Sequence, residues 1–373
     1  MQVIVNTRLL IKDKQEGIGW FTQGVLERIC QNNKDVHFVF LFDRPFDSSF
    51  IFSDNITPLV VSPPARHPFL WYYWMQHGVR PLLNKLKPDV FLSPDGFLAL
   101  GAKCPQVPVI HDINFLHFPQ FLRPLTARYY NYYFPKFAQT ARRVLTVSEF
   151  SKSEIHHHYQ VPLNKIDVVY NGVNPEFRPL SENEKQRARE RFAGGLPYFI
   201  YTGSLHPRKN IQHLVTAFLE FRKKSLNPMK LVLAGPAFWG NSAVEKQINA
   251  SNYKADILLT GRLTNNDLAL ALGGATALVF VPFYEGFGIP LIEAMTAGVP
   301  VITSSVSSLP EVAGTAALLC DPNNPSGICD AMDKIMVDAV REPLIQKGFT
   351  RSKEFSWDRS AHLVWNGLLK ALE

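Results

Sequence analysis

The sequence predicts an α/β protein built from two doubly wound parallel-sheet domains. Short strands rich in Val, Ile, Leu and Phe alternate with helix-patterned segments along the chain. Those strands are apolar throughout rather than every second residue, as in a sheet covered by helices on both faces. A length of 373 residues suits two domains at roughly 100–200 residues each.

In the N-terminal half, strands are expected at residues 2–5, 36–41, 90–92, 107–111, 144–147 and 166–169. Helices fit 20–31, 70–86, 123–138 and 151–159. A charged stretch, 178–197, ends in Gly194-Gly195-Leu196-Pro197 and reads as the linker. The C-terminal half is clearer. Strand 198–202 is closed by Gly203, and a helix follows with Ile211, Leu214, Val215, Phe218 and Leu219 on one face, Asn210 standing as its N-cap. Strands at 230–234, 257–260, 277–281, 299–303 and 317–320 then alternate with helices near 242–251, 265–272, from Pro290, near Leu309 and from Pro325. Pro290 suits a helix start because proline has no N–H to lose there. From Ser356 onward, Trp357, Val364, Trp365, Leu368 and Leu372 share a helical face that can cross back onto the first domain. The expected division is 1–180, 181–355 and a returning helix at 356–373.

Hydrophobic residues make up 46% of the chain and charged residues 19%, which excludes disordered and collagen-like classes. The nearest approach to a membrane span, residues 268–284, is interrupted by Gly273-Gly274 and Pro282. No secretory signal is read at the N-terminus, and four scattered cysteines without a C-x-x-C pair fit a reduced, cytoplasmic protein. The net charge is +7. Residues 113–148 contain Arg123, Arg128, Lys136, Arg142 and Arg143 but no acid, and 66–87 is also acid-free. Such stretches favour an anionic partner or are solvated helix faces.

If each domain is doubly wound, ligands bind outside the carboxyl ends of the strands. Four loops there carry chemistry. Gly17-Ile18-Gly19 precedes a helix and admits a close backbone approach, but it is no dinucleotide fingerprint. His111-Asp112 closes a strand, where an imidazole can hydrogen-bond a substrate hydroxyl, act as acid or base, or simply cap the strand. Ser204 to Asn210 carries Arg208-Lys209 into a helix start, a pairing suited to pyrophosphate. Finally, Glu285-Gly286-Phe287-Gly288 leads to Glu293. There Glu285 is expected to face the cleft, Gly286 and Gly288 to expose backbone N–H groups, and Glu293 to accept both hydroxyls of a ribose from the first turn of its helix. Arg262 and Leu263 either line a base pocket or cap a loop. The run His156-His157-His158 points three ways around a helix and is not read as a metal site.

These residues, in this order, resemble the family-four retaining glycosyltransferases of the GT-B fold, and within them the bacterial group 1 mannosyltransferases. Glu285 and Glu293 look like the family's E-x7-E motif, Arg208-Lys209 like its donor-phosphate site, His111 like its active-site histidine and Gly17-Ile18-Gly19 like its glycine loop. Ser148 with Ser151, and Asn171-Gly172-Val173, also stand where the family carries similar residues. The chain departs from many members in having Ser204 where they have arginine. The resemblance implies two Rossmann-like domains facing across a cleft, with His111 and Glu285 toward the sugar. The donor contacts it implies are Gly17, Gly19, Ser204, Arg208, Lys209, Arg262, Leu263, Gly286, Phe287, Gly288 and Glu293. It further implies a nucleotide diphosphate sugar donor, retention of configuration, and neither metal nor other cofactor. GDP-mannose is the first choice of donor and a UDP-sugar the alternative. A GT-B sugar-nucleotide 2-epimerase, with Asp95 and Asp112 as acid and base, is the rival class. The acceptor expected is a saccharide or lipid-linked saccharide. No nucleic acid partner is expected. Nine aromatics between 113 and 148, with the bases among them, suggest peripheral contact with an anionic membrane surface.

Overall fold

The computed structural model describes residues 1–12, 14–225, 227–236 and 242–373, with residue 242 by its backbone. The chain divides into two compact units, Met1–Gly172 with Ser356–Glu373, and Val173–Phe355.

In the first unit, strands β1 (Gln2–Asn6), β2 (His37–Phe42), β3 (Ile56–Val60), β4 (Val90–Ser93) and β5 (Gln106–Pro108) form a parallel sheet in the order β3-β2-β1-β4-β5. A further parallel pair, β6 (Val144–Thr146) and β7 (Ile166–Val168), joins its edge through a single bridge between Val109 and Leu145. Strand β3 escapes the sequence reading because it contains Pro58 and lies at the edge, half-exposed. The helix expected at 70–86 is three pieces in one rod: Pro68–Tyr73, a π-helical turn over Trp74–Val79, and Arg80–Leu86. Pro81 offers no N–H to the ladder, and the Arg80 N–H reaches back to Met75 instead. The helix Trp357–Lys370 also belongs to this unit. Trp357 packs on Phe21 with ring centroids 6.3 Å apart, and a Cβ at Gly172 would lie 2.3 Å from the Trp357 nitrogen. Gly172 is therefore glycine for a packing reason.

The second unit holds β8 (Tyr198–Thr202), β9 (Lys230–Ala234), β10 (Ile257–Gly261), β11 (Ala277–Phe280), β12 (Val301–Ser304) and β13 (Ala317–Cys320) in the order β10-β9-β8-β11-β12-β13, all parallel. The stretch read as a linker contains a helix, Glu182–Ala193, closed by a Ser181/Glu184 capping box and ended by Gly194 in the left-handed region. Its high charge disguised it, since only Ala188, Phe192 and Ala193 are buried. A helix at Asp338–Ser352, interrupted in sequence by Pro343, was also not foreseen.

Sheet order places a switch point in each unit. In the first it lies between β1 and β4, in the second between β8 and β11. At the first switch point Arg8 Nε donates to Asp95 Oδ2 at 2.5 Å, with only 7% and 4% of the two side chains exposed. Asn6 Nδ2 and Ser93 Oγ donate to the other Asp95 oxygen at 2.8 and 3.0 Å. The Arg8 guanidinium also lies 4.3 Å from the centre of the Phe97 ring. Removing one member strands a buried charge. Asp95→Ala is expected to cost the first unit about 3–5 kcal/mol, read as a fall in its urea midpoint, and Arg8→Met/Asp95→Leu much less.

Candidate active site

The second switch point gathers the loops that follow β8 and β11. Gly203 turns the chain with φ +128°, and a Cβ on Gly235 would lie 1.9 Å from the Gly203 carbonyl oxygen, so the loops after β8 and β9 touch backbone to backbone. Residues Pro207–Lys209 make one 3-10 turn, with the His206 ring accepting from the Arg208 N–H at 3.1 Å. Asn210 does not cap the next helix, Ile211–Lys224. It takes a left-handed conformation, φ 61°, and its Nδ2 donates to the Val281 and Pro322 carbonyls at 2.9 and 2.7 Å. Its side chain thus ties the ends of three segments.

Across this seam, Lys209 Nζ bonds Glu285 Oε1, and Arg208 Nη1 lies 3.3 Å from the same oxygen while also donating to the Tyr284 carbonyl. All three charged side chains are largely buried, at 12–15% exposure. Arg208 Nε is buried and makes no hydrogen bond among the described residues. Ser204 is half-buried, and its carbonyl accepts from Tyr201 Oη at 2.8 Å.

The loop bearing Glu285 is held by two residues the sequence reading passed over. Ser307 Oγ accepts from the Glu285 N–H at 3.2 Å, and Ser308 Oγ donates to the Glu285 and Phe287 carbonyls at 2.9 and 3.1 Å. Only their place after β12, beside β11, was available as a signal. Gly288 has φ +98° and would set a Cβ 2.6 Å from Leu309. The Phe287 ring is buried against Phe355, which leaves its backbone, with that of Gly286, at the loop.

Glu293 is the fifth residue of the helix Ile289–Thr296, past the first turn. The expected first-turn position is therefore corrected: Gly288 turns the chain into a helix that begins before Pro290, not at it. Beyond the first turn the helix dipole helps little. Among the described residues no group bonds the Glu293 carboxyl, and burial pushes its pKa up to about 8. Arg262 is exposed and Leu263 half-buried after Gly261.

In the first unit, the helix starts at Gly17 itself, so Gly17 and Gly19 form its first turn rather than a loop before it. Gly19 is buried, with space for a Cβ limited by the Leu9 carbonyl at 3.2 Å. His111 follows the Val109 bridge. Its Nε2 bonds the Pro94 carbonyl at 2.8 Å and its ring meets Phe21 edge-on at 5.0 Å. A carbonyl only accepts, so Nε2 carries the proton and Nδ1 is the acceptor of the neutral ring. Burial holds the His111 pKa below its usual value, so the ring stays neutral. The Ser148–Ser151 pair is a capping pair (Ser151 N–H to Ser148 Oγ, 3.0 Å), and Ser151 Oγ donates to the His111 carbonyl at 3.1 Å. Asp112 accepts from the Asn114 N–H at 3.0 Å.

Of the nine aromatics between 113 and 148, Phe115, Tyr129, Phe134 and Phe137 are buried and only Tyr132 is exposed. This stretch is mainly core, because its helix, Pro124–Thr140, packs on Trp71 and Phe97. Arg143 is likewise spoken for, donating to Asp167 at 2.7 Å.

Two doubly wound parallel sheets, each with charged loops at its switch point, define a class of two-domain α/β proteins that bind ligands at the strand ends. Sucrose-phosphate synthase from Thermosynechococcus elongatus matches 98% of this chain over 97% of its own, with a TM-score of 0.79 at 17% identity, and the fold is GT-B. The family model described as "Glycosyl transferases group 1" matches residues 182–351, and "Glycosyltransferase Family 4" matches 16–177. O-antigen chain mannosyltransferase B of Escherichia coli is 31% identical over 254 residues, 68% of this chain and 67% of that protein. The serotype-specific mannosyltransferase WbdA of Escherichia coli is 25% identical over 280 residues, 72% of this chain but only 33% of that protein. The chain belongs to the group 1, family 4 glycosyltransferases.

The Glu293 carboxyl sets a pH dependence. Its folded pKa lies above the unfolded value, so between about 4.5 and 8 the folded chain holds a proton that the unfolded chain has lost. Stability then falls with rising pH in that window, by at most about 1.4 kcal/mol per unit. Glu293→Gln, which keeps the neutral shape, is expected to be more stable than the parent at pH 8 and equal to it near pH 4.5. Urea unfolding across that range checks this, and parallel profiles would contradict a buried neutral acid.

Proposed function

We propose that the chain moves a hexose, in the first instance mannose from GDP-mannose, to a saccharide or lipid-linked saccharide acceptor during polysaccharide or lipopolysaccharide synthesis, with retention at the anomeric carbon. The mannose preference is supported by the names of the two E. coli relatives, both mannosyltransferases.

The observation that carries the reading is Arg208 and Lys209 converging beside Glu285, with Arg208 Nε buried and without a hydrogen bond among the described residues. A donor diphosphate is the ligand such a cluster suits. When the anomeric C–O bond breaks, its electron pair stays on the diphosphate, and two fixed cations neutralise the growing charge. They supply the role a metal ion would otherwise take, so the reading asks for no metal and no other cofactor. Gly286 and Gly288 lend backbone, Ser204 a hydroxyl, and Arg262 and Leu263 are assigned to the base. Glu293 is assigned to the ribose, whose two hydroxyls would favour its ionised form. Glu285 and His111 are assigned to the sugar, His111 through the acceptor lone pair on Nδ1. Gly17 and Gly19 give close backbone approach at the start of their helix. The epimerase alternative wants a free carboxyl in the first unit. Asp95 is committed to Arg8, Asn6 and Ser93, which disfavours it.

Peripheral membrane contact would use the exposed part of the stretch the sequence suggested, together with the neighbouring helix Pro68–Tyr73. Phe69, Tyr73, Leu125 and Tyr132 are 68, 52, 44 and 56% exposed on the helices Pro68–Tyr73 and Pro124–Thr140. The two helices meet through Tyr72 and Tyr133, with ring centroids 5.5 Å apart. Arg66, Arg123 and Arg128 are exposed at or near their starts. Among the described residues no helix is long and apolar enough to cross a membrane.

Two outcomes are expected. Lys209→Ala raises the donor KM and lowers kcat, costing roughly 2–4 kcal/mol in kcat/KM; steady-state kinetics with GDP-mannose and UDP-sugars measure this, and a near-normal variant refutes the assignment. The protein sediments with anionic vesicles at low salt and is released at high salt, with about 2 kcal/mol lost per residue reversed among Arg66, Arg123 and Arg128, since each reversal changes the charge by two units at about 1 kcal/mol each. Binding indifferent to those reversals would remove the membrane from the reading.

A further inference from the structure

The chain carries a second cluster of ligand-type side chains, in the first unit, that the transferase reading does not use. His117 ends the short helix Asn114–His117, and Glu154 and His158 stand one turn apart on the helix Glu149–Tyr159. His117 Nε2 contacts Glu154 Oε2, and His158 Nε2 lies 3.8 Å from Glu154 Oε1. The two imidazoles meet edge-on at 5.2 Å. One ligand atom from each residue lies within 4.8 Å of the others.

From this geometry we infer that His117, Glu154 and His158 bind a single zinc-like divalent cation. Zinc holds imidazole nitrogens and carboxylate oxygens at about 2.0–2.2 Å, which sets neighbouring ligand atoms roughly 3.3 Å apart. The three atoms here need shifts of an ångström or so to reach that spacing, within the reach of partly exposed side chains at 32, 19 and 29%. Two nitrogens and one oxygen select a borderline transition-metal ion over magnesium or calcium. Three protein ligands leave coordination positions for water. The last turn of a helix, where His158 sits, also favours positive charge.

The three consecutive histidines do diverge, as a helix requires. His156 Nδ1 lies 2.8 Å from the Val161 carbonyl, whereas His158 Nε2 faces Glu154. The run alone does not make the site, which needs His117 from another segment. The cation would tie the chain just after His111 to a helix whose other end already holds the His111 carbonyl through Ser151. It would thus stiffen the segment that follows the candidate active-site histidine.

The test uses the untagged full chain and zinc, titrated by calorimetry and by competition with a chromophoric chelator, with magnesium as the control cation. One equivalent of zinc should bind and raise the unfolding temperature. His117→Gln and His158→Gln should each weaken binding by more than about tenfold, since losing even an outer hydrogen-bond partner of a metal ligand costs about 10–100-fold. His157→Gln should bind as the parent does. Substoichiometric binding, equal binding by His117→Gln, or equal loss in His157→Gln would each overturn the site. The readout is binding and stability, so it stands apart from whether the chain transfers mannose.

Discussion

The candidate site depends on one carboxylate. Glu285 meets Lys209 and Arg208 across a sequence separation of 76 and 77 residues, and so joins the loops after β8 and β11. Two cations alone in a largely buried seam would repel each other and lack counter-charge. With Glu285 between them they are held at the centre of the sheet. The loop that carries Glu285 is itself fixed by Ser307 and Ser308 from the next strand's end. A diphosphate placed here would meet charges already oriented, which is the condition for electrostatic stabilisation of a leaving group.

The same arrangement recurs at the switch point of the first unit. There Arg8, after β1, meets Asp95, after β4. In both units a cation after the first strand faces a carboxylate after the strand that reverses the sheet order. Doubly wound topology explains the coincidence, because only at that point do two neighbouring strands send their following loops to opposite sides and leave an open crevice. The units differ in how fully the carboxylate is satisfied. Asp95 receives Arg8, Asn6 and Ser93, with the pair closed off from water. At the other site Arg208 Nε is buried and makes no hydrogen bond among the described residues. The first is a closed ion pair; the second leaves a buried donor for which the proposed donor diphosphate would be a partner.

Partners, rather than spacing, separate two glutamates that look equivalent in the E-x7-E motif. Glu285 sits against cations. Glu293 has no bonding partner among the described residues, lies past the first helical turn and is pushed toward its neutral form. The spacing alone made them a pair of carboxylates. Their surroundings differ: cations from the loop after β8 lie against Glu285, while the Glu293 carboxyl meets none among the described residues and is pushed toward its neutral form.

What the sequence determined by itself is local or periodic. The alternation of apolar strands and helices, the E-x7-E and Arg-Lys motifs, and the glycines at strand ends all follow from neighbours within a few residues, and so does membership of a glycosyltransferase family. Strand β3, the capped helix Glu182–Ala193 and the helix Asp338–Ser352 were hidden because proline or charge masked a thin buried face. What only the tertiary structure decided involves partners far apart in the chain. Asn210 became a tie between segments rather than a cap, the aromatics of Pro124–Thr140 turned mostly inward, and His117 met Glu154 and His158. Each depends on which face of one element packs against another, and periodicity along a single element does not contain that information.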